Sequence, residues 1–316
     1  MAATHAERYR AMNNTTISGV VSPNTAEQFV QDHGLDAPAF TSIETFLDET
    51  SLDAVSICSP TWTHREIVET VAEYNIDILC EKPIASTLAD ANAIADVADE
   101  QSVTIMIGHT LRFFPDYRRV YDQIESEAVG TPGTVRARRH SPFPDWGHGW
   151  FAADEKSGGV FLDLGVHEFD YLRWLFGDVE YVFARRNRWG DRQNGHATLV
   201  FENGTVGYVE VGWDRIQGVE LWSTLEIAGD DGLIEYDARK PTPLTVTAKQ
   251  ATGAESTATV AKDGYRHQLE AFVECIERGK EPLVTADDAI EAIRISIAAN
   301  RSAEQNEPIP IAEVVV

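Results

Sequence analysis

The sequence predicts an α/β chain in two parts, a doubly wound parallel sheet followed by a mostly antiparallel open sheet with helices. Strand and helix signals alternate over the first third of the chain, the rhythm of parallel βαβ units. Beyond Phe114 strands follow one another with turn residues between them, which suits antiparallel pairing. At 316 residues the chain is also long for a single core. The boundary is placed near Leu111, dividing residues 1–110 from residues 111–316.

His5 to Met12 reads as a helix and Thr16 to Val21 as a β-branched strand. Thr25 to His33 has helical spacing and is closed by Gly34. Ala54 to Ser59 is an apolar strand, and Thr63 to Tyr74 a helix with Ile67, Val68 and Val71 on one face. A strand from Ile76 to Cys80, a helix from about Thr87 to Glu100 and a strand from Val103 to Gly108 complete the first part. In the second part strands are expected at Thr134 to His140, Tyr181 to Arg188, His196 to Phe201, Thr205 to Gly212, Leu221 to Ala228 and Leu233 to Tyr236. Glu202-Asn203-Gly204 and Gly229-Asp230-Asp231-Gly232 are hairpin turns. Helices are expected over Gly159 to Phe176, Tyr265 to Arg278 and Ala286 to Gln305. The polar stretch Ala251 to Lys262 reads as a loop.

Composition narrows the function. Fifty-one acidic residues stand against 26 basic ones, a formal net charge of −25, so nucleic acid and anionic membranes are poor partners. Only six of the basic residues are lysine. The acids are spread along the chain, and a compact state so charged repels itself unless screened; the expectation is a high-salt cytoplasm. No apolar run nears the roughly 18 residues of a membrane helix, and the opening residues lack the pattern of a secretion signal. Three cysteines cannot build a disulfide framework, and Cys58, Cys80 and Cys275 read as buried small apolar residues. No Cys-x-x-Cys or paired-His spacing points to a metal, and none is expected.

Two short segments carry the chemistry. Glu81-Lys82-Pro83 follows the strand Ile76 to Cys80, at the carboxyl edge where open α/β sheets bind ligands. Asp163 and His167 are four residues apart in one helix and project from the same face. Together they offer one pocket a cation, an acid–base group and an orienting carboxylate. The plainer alternatives are a surface lysine and an exposed i, i+4 ion pair worth a few tenths of a kcal/mol. Against them, a chain that uses arginine for most cations has lysine here. The helix around Asp163 and His167 is otherwise apolar, and Gly158-Gly159 opens it as a close-approach loop.

The order and spacing of further fragments extend the pattern: His5-Ala-Glu-Arg, Cys58-Ser-Pro-Thr-Trp-Thr-His64, Gly108-His-Thr-Leu-Arg-Phe113, Gly158 to Asp170 and Leu225-Glu-Ile-Ala-Gly229. Over nearly its whole length the chain resembles the glucose-fructose oxidoreductase and inositol dehydrogenase (Gfo/Idh/MocA) family of nicotinamide-dependent enzymes. The resemblance implies a Rossmann-like first domain, NADP or NAD as cofactor, and hydride transfer at a hydroxyl of a sugar, polyol or cyclitol, or at the matching carbonyl. It implies that Lys82 lies beside the nicotinamide and bonds the reacting oxygen, where negative charge develops. His167 is then the general base, with Asp163 orienting its ring or holding a neighbouring hydroxyl. Asp170 helps position that helix. Ser59, Pro60 and Glu81 lie near the cofactor; His64 either meets it or caps its own helix. Arg112 either faces the substrate or braces the domain interface. Trp146, His148 and Trp150 either cover the apolar face of a sugar ring or pack in the core. A homo-dimer or homo-tetramer through the open face of the second sheet is the expected assembly.

In two places the chain departs from the family. The family begins with a buried strand and Gly-x-Gly-x-x-Gly, and these 316 residues contain no such motif. Aligning His5-Ala6 with the family's His-Ala places Ala2 at the third glycine and the first strand before Met1. Either Met1 is an internal methionine read as a start, which we favour, or the chain is a shortened relative that binds dinucleotide poorly. After the strand Thr16 to Val21, where a carboxylate on the adenosine ribose marks NAD preference, the chain has Ser22-Pro23-Asn24, which favours NADP over NAD. Two rival readings are a relative that retains its cofactor through transient oxidation, and a non-catalytic dinucleotide sensor.

Overall fold

The computed structural model describes residues 1–145, 149–249, 255–257 and 263–315. They form two compact units, Met1–His109 with Gly264–Ala289, and Thr110–Asp263 with Ile290–Val316.

In the first unit α1 (Ala2–Arg10) leads through β1 (Val20–Val21), α2 (Ala26–Asp32), β2 (Ala39–Phe40) and α3 (Ile43–Glu49) to β3 (Ala54–Ile57). α4 (His64–Ala72), β4 (Asp77–Cys80), α5 (Leu88–Gln101) and β5 (Ile105–Ile107) follow. β3, β4 and β5 make a parallel sheet in that order. The central runs of β4 and β5 are apolar because both faces are covered; Ile78, Leu79, Met106 and Ile107 are fully buried. Local chemistry sets the helix ends: Thr87 Oγ1 accepts the Asp90 amide at 3.1 Å to start α5, and Ser102 leaves it in the left-handed region.

One expectation is corrected here. The strand predicted over Thr16 to Val21 shrinks to Val20–Val21, paired in parallel with Ala39–Phe40 as a separate two-stranded sheet. β1 and β3 do not pair with each other, so the predicted single sheet stands as two pieces. A strand is defined by its ladder, and Thr16–Gly19 belong to none.

The second unit holds α6 (Pro115–Glu125), β6 (Pro132–Pro142), α7 (Asp154–Ser157), a π-helical turn (Phe161–Gly165) and α8 (Val166–Phe176). Then come β7 (Val179–Trp189), β8 (Arg192–Phe201), β9 (Val206–Arg215), β10 (Trp222–Gly229), β11 (Gly232–Asp237), β12 (Leu244–Ala248) and β13 (Glu255–Thr257). The chain closes with α9 (Gly264–Arg278), α10 (Ala286–Gln305) and β14 (Ile309–Pro310). The sheet runs β13-β12-β11-β10-β6-β9-β8-β7-β14, antiparallel except where β6 lies parallel to β9. Alternation along β6 buries Val135, Ala137 and Arg139 and exposes Arg136 and Arg138. At the predicted β8–β9 turn Gly204 has φ +86°, and Asn203 Oδ1 accepts the Thr205 amide.

β8 starts at Arg192, ahead of the predicted His196. Gly195 resembles a strand breaker in sequence, yet a Cβ there would lie 2.5 Å from Phe161 Cε1, so glycine makes room for that ring. Gly264–Ala289, placed by sequence in the second part, clusters with the first unit, where α9 lies against α1. Of the stretch Ala251 to Lys262, only the strand β13 is among the described residues.

Candidate active site

In the first unit three parallel strands deliver their following residues to one sheet edge. Ile57 stands opposite Cys80, and Cys80 opposite Ile107, so Cys58-Ser59-Pro60, Glu81-Lys82-Pro83 and Gly108-His109 emerge side by side. The ladder continues into these loops: the Glu81 amide donates to the Ile57 carbonyl at 3.0 Å, and the Gly108 amide to Cys80 at 2.8 Å. A Cβ on Gly108 would lie 3.0 Å from Glu81 Oε1 and 3.2 Å from Glu81 Cα; only glycine lets β5 end this close to the carboxylate.

Glu81 is buried and faces His5 from α1, with His5 Nε2 3.1 Å from Glu81 Oε1. Burial opposes charge on both groups, but neighbouring groups outweigh it on each. For His5, the contacts with Cys58 and Glu81 outweigh burial and raise the imidazole to about 10. For Glu81, burial is outweighed by the hydrogen bond and charge of His5, with Lys82 adding to them, and the carboxyl is held below its ordinary range. His5 Nδ1 also lies 3.5 Å from Cys58 Sγ, and Tyr9, one turn on, bonds Ser56 at 2.9 Å. Lys82, half-buried, therefore emerges next to a buried ion pair that anchors its loop. Cys58, expected to be buried, is partly exposed because it follows its strand at this edge.

His64 does not cap α4: the cap residue is Thr63, which makes no side-chain cap bond. Its ring is buried, with Nδ1 3.1 Å from the Pro83 carbonyl and 3.2 Å from that of Ile84, and Nε2 3.0 Å from that of Ser59. Burial lowers the imidazole below its ordinary value, so the neutral ring has one N–H and donates to one side only. It sits between the Ser59-Pro60 loop and the loop that carries Lys82. Ser22 follows β1 with its hydroxyl 2.7 Å from Thr25 Oγ1, and Ala2 opens α1 on the surface. For a nicotinamide dinucleotide this unit supplies the carboxyl sheet edge, a cation at Lys82 and the tight backbone crossing at Gly108, and these fit the group.

In the second unit the expected helix is continuous from Gly159 to Phe176, with the π turn set into it. π turns recur at functional sites. From Gly159 to Leu172 every residue is buried except Asp163 and His167. Two half-buried groups are therefore all that this segment leaves partly open. Beneath them the helix is braced from within. Arg112 Nη2 donates to Asp170 Oδ1 at 2.6 Å and Nε to Oδ2 at 3.1 Å, with the guanidinium 5.4 Å from the Trp174 ring. This buried bidentate pair ties Arg112 to the helix that carries Asp163 and His167. Arg139 Nε likewise bonds both oxygens of Glu168, at 2.8 and 2.9 Å. Trp150 is half-buried and stacked on Phe151 at 3.7 Å, while Trp146 and His148 lie outside the described residues.

Sequence reasoning did not single out the His5–Glu81 pair or the Arg139–Glu168 pair. His5 and Glu81 are 76 positions apart, and no periodic signal links residues so distant. Among the described residues no group of three or more His, Cys, Asp or Glu is placed to hold a metal, and no helix is long and apolar enough to cross a membrane.

Comparison with known proteins finds both halves of one family. Residues 1–109 match the NAD-binding Rossmann domain of the Gfo/Idh/MocA oxidoreductase family, and residues 122–311 match its C-terminal α/β domain. A myo-inositol 2-dehydrogenase from Thermotoga maritima is 25% identical, over 98% of this chain and 96% of its own. A D-xylose 1-dehydrogenase (NADP+) from Haloferax volcanii is 26% identical over 86% of this chain and 85% of its own. In fold, the chain superposes on a levoglucosan dehydrogenase solved with NADH and levoglucosan, with a TM-score of 0.89 at 20% identity over 98% of this chain and 96% of the other. With a parallel sheet edge carrying Glu81-Lys82 and a buried helix on which Asp163 and His167 stay partly open, the chain belongs to the Gfo/Idh/MocA family of oxidoreductases.

Proposed function

We propose that this protein is an NAD(P)-dependent dehydrogenase that oxidises a hydroxyl of a sugar, polyol or cyclitol, or reduces the matching carbonyl. The observation that carries the reading is that Asp163 and His167 alone, between Gly159 and Leu172 of a buried helix, are partly open, in a chain whose NAD-binding sheet edge presents Lys82. A nicotinamide held at this sheet edge would supply the acceptor for the hydride from the carbinol carbon. The chain's own groups manage the proton and the charge: His167 takes the hydroxyl proton, and the Lys82 ammonium donates to the oxygen as it gains negative character. Asp163 orients the imidazole or holds a second hydroxyl, so that the base meets one hydroxyl of several. Ser22, in place of a carboxylate after β1, leaves room for a 2′-phosphate and favours NADP. The Haloferax relative, an NADP+ enzyme by name, supports that preference.

A formal charge of −25 supports operation at high salt in the cytoplasm. The face of the nine-stranded sheet that carries Arg136, Arg138 and Tyr208 supports homo-oligomer assembly through it. Activity is tested by supplying myo-inositol, D-xylose and a panel of related polyols and aldoses with NADP+ or NAD+ in molar KCl, and following absorbance of the reduced cofactor. Turnover of at least one of these is expected. A cofactor that binds yet is never reduced by any of them favours the sensor reading instead.

A further inference from the structure

We propose that Gln193 is a positioning residue for the acid–base pair, holding the start of the helix that carries Asp163 and His167. This rests on the dehydrogenase reading and extends it to a side chain that need not touch substrate. Gln193, in β8, is 1% exposed. Its Oε1 accepts the Val160 amide at 3.2 Å, and its Nε2 donates to Asp154 Oδ1 at 3.2 Å. The first amides of a helix have no partner within it and must find one elsewhere. Here the Gly159 amide is met by Ser157 Oγ at 3.1 Å, and the next amide by Gln193.

The same turn is gripped from two further sides. Asn300 of α10 donates through Nδ2 to the Gly158 carbonyl at 2.9 Å, and its Oδ1 accepts from Arg186 Nη1 at 3.1 Å. Arg186 and Arg188 of β7 both pair with Asp154, Arg186 at 3.3 Å. Little space remains around the backbone. A Cβ on Gly159, where φ is +70°, would lie 2.7 Å from Arg186 Nη1 and 3.2 Å from Gln193 Oε1. A Cβ on Gly158, at φ +66°, would lie 2.2 Å from Leu162 Cδ2.

Position matters because the π turn begins at Phe161, immediately after this clamp. The phase in which the chain enters that turn decides where Asp163 and His167 point. Displacing a catalytic group by about 1 Å can cost 10²-fold in rate. In place of Gln193, a leucine leaves the Val160 amide unmet. A glutamate keeps an acceptor there but sets a second carboxylate against Asp154.

The test compares Gln193→Leu, Gln193→Glu and Gln193→Glu combined with Asp154→Asn in the full chain. The double substitution restores both hydrogen bonds with carboxylate and amide exchanged. We expect each single substitution to lower kcat between about tenfold and 10²-fold with the cofactor KM changed little, and the double substitution to recover most of the loss. Amide hydrogen exchange across residues 157–170, measured without cofactor or substrate, should quicken in both single variants and slow again in the double. Wild-type kcat and exchange in either folded single variant overturns the proposal. So does a folded double variant as slow as Gln193→Glu. If Gln193→Leu does not fold, the glutamate pair decides. A wild-type protein without dehydrogenase activity overturns the function and leaves the clamp to be judged by exchange alone.

Discussion

At the scale of the residue, the proposed mechanism gives Lys82 and His167 different duties, and both should fail differently from Asp163. Lys82→Ala and His167→Ala are each expected to lower kcat by about 10² or more, since each removes a group acting on the moving proton or the developing charge. Asp163→Asn should lower it less and raise the substrate KM. Lys82→Arg should not restore activity, because a planar guanidinium does not reproduce a compact ammonium. Steady-state kinetics on one active substrate checks all four. His5 offers a prediction in pH. Its imidazole is raised from 6.5 to about 10 in the folded chain, so its contribution to stability is full below pH 6.5 and is lost as pH climbs toward 10. Glu81 is shifted the other way; its contribution is present above its ordinary 4.5 and is lost as pH falls through the depressed value. The melting temperature should therefore fall between pH 6.5 and 10, and less so in His5→Gln; equal slopes would contradict the pairing. Lys82, Asp163 and His167 were singled out in sequence because each stands out against its segment, and the fold leaves all three half-buried. Glu81 was readable only as a neighbour of Lys82, since its partner His5 is brought to it by the tertiary fold.

At the scale of the element, legibility followed burial. β4 and β5 are short apolar runs covered on both faces, and they were found within one or two residues of their observed bounds. β2 was missed because only Ala39 and Phe40 pair, too few for a period of two to appear. The helix at Gly159 to Phe176 was foreseen, but its π turn was not, since hydrophobic periodicity does not report which carbonyl each amide reaches. Gly195 also misleads in sequence, where it looks like an interruption of β8. Gly195→Ala is expected to cost about 1–3 kcal/mol of stability by forcing a methyl against the buried Phe161 ring. It should lower kcat too, because Phe161 begins the turn that carries Asp163. Denaturant unfolding and kinetics on the same preparation check both; a variant as stable and as active as wild type would show that the ring can yield.

At the scale of the whole molecule, charge dominates. At −25, carboxylates repel across the surface when the screening length reaches tens of ångström at low ionic strength, and cease to do so when it falls to a few. The melting temperature should rise with KCl into the molar range, and a flat response would remove the halophilic reading. Two domains were legible from the change in strand order near residue 110. That Gly264–Ala289 packs with the first unit was not, because α9 and α1 meet across more than two hundred and fifty residues of chain. The central claim is hydride transfer, and isotopic transfer tests it most directly. A substrate found in the polyol and aldose panel, deuterated at the reacting carbon, is turned over with NADP+ or NAD+, and the reduced cofactor is examined by mass spectrometry. Deuterium is expected in the nicotinamide ring, with formation of the labelled cofactor lost in Lys82→Ala and His167→Ala. Reduced cofactor carrying no deuterium would contradict the account.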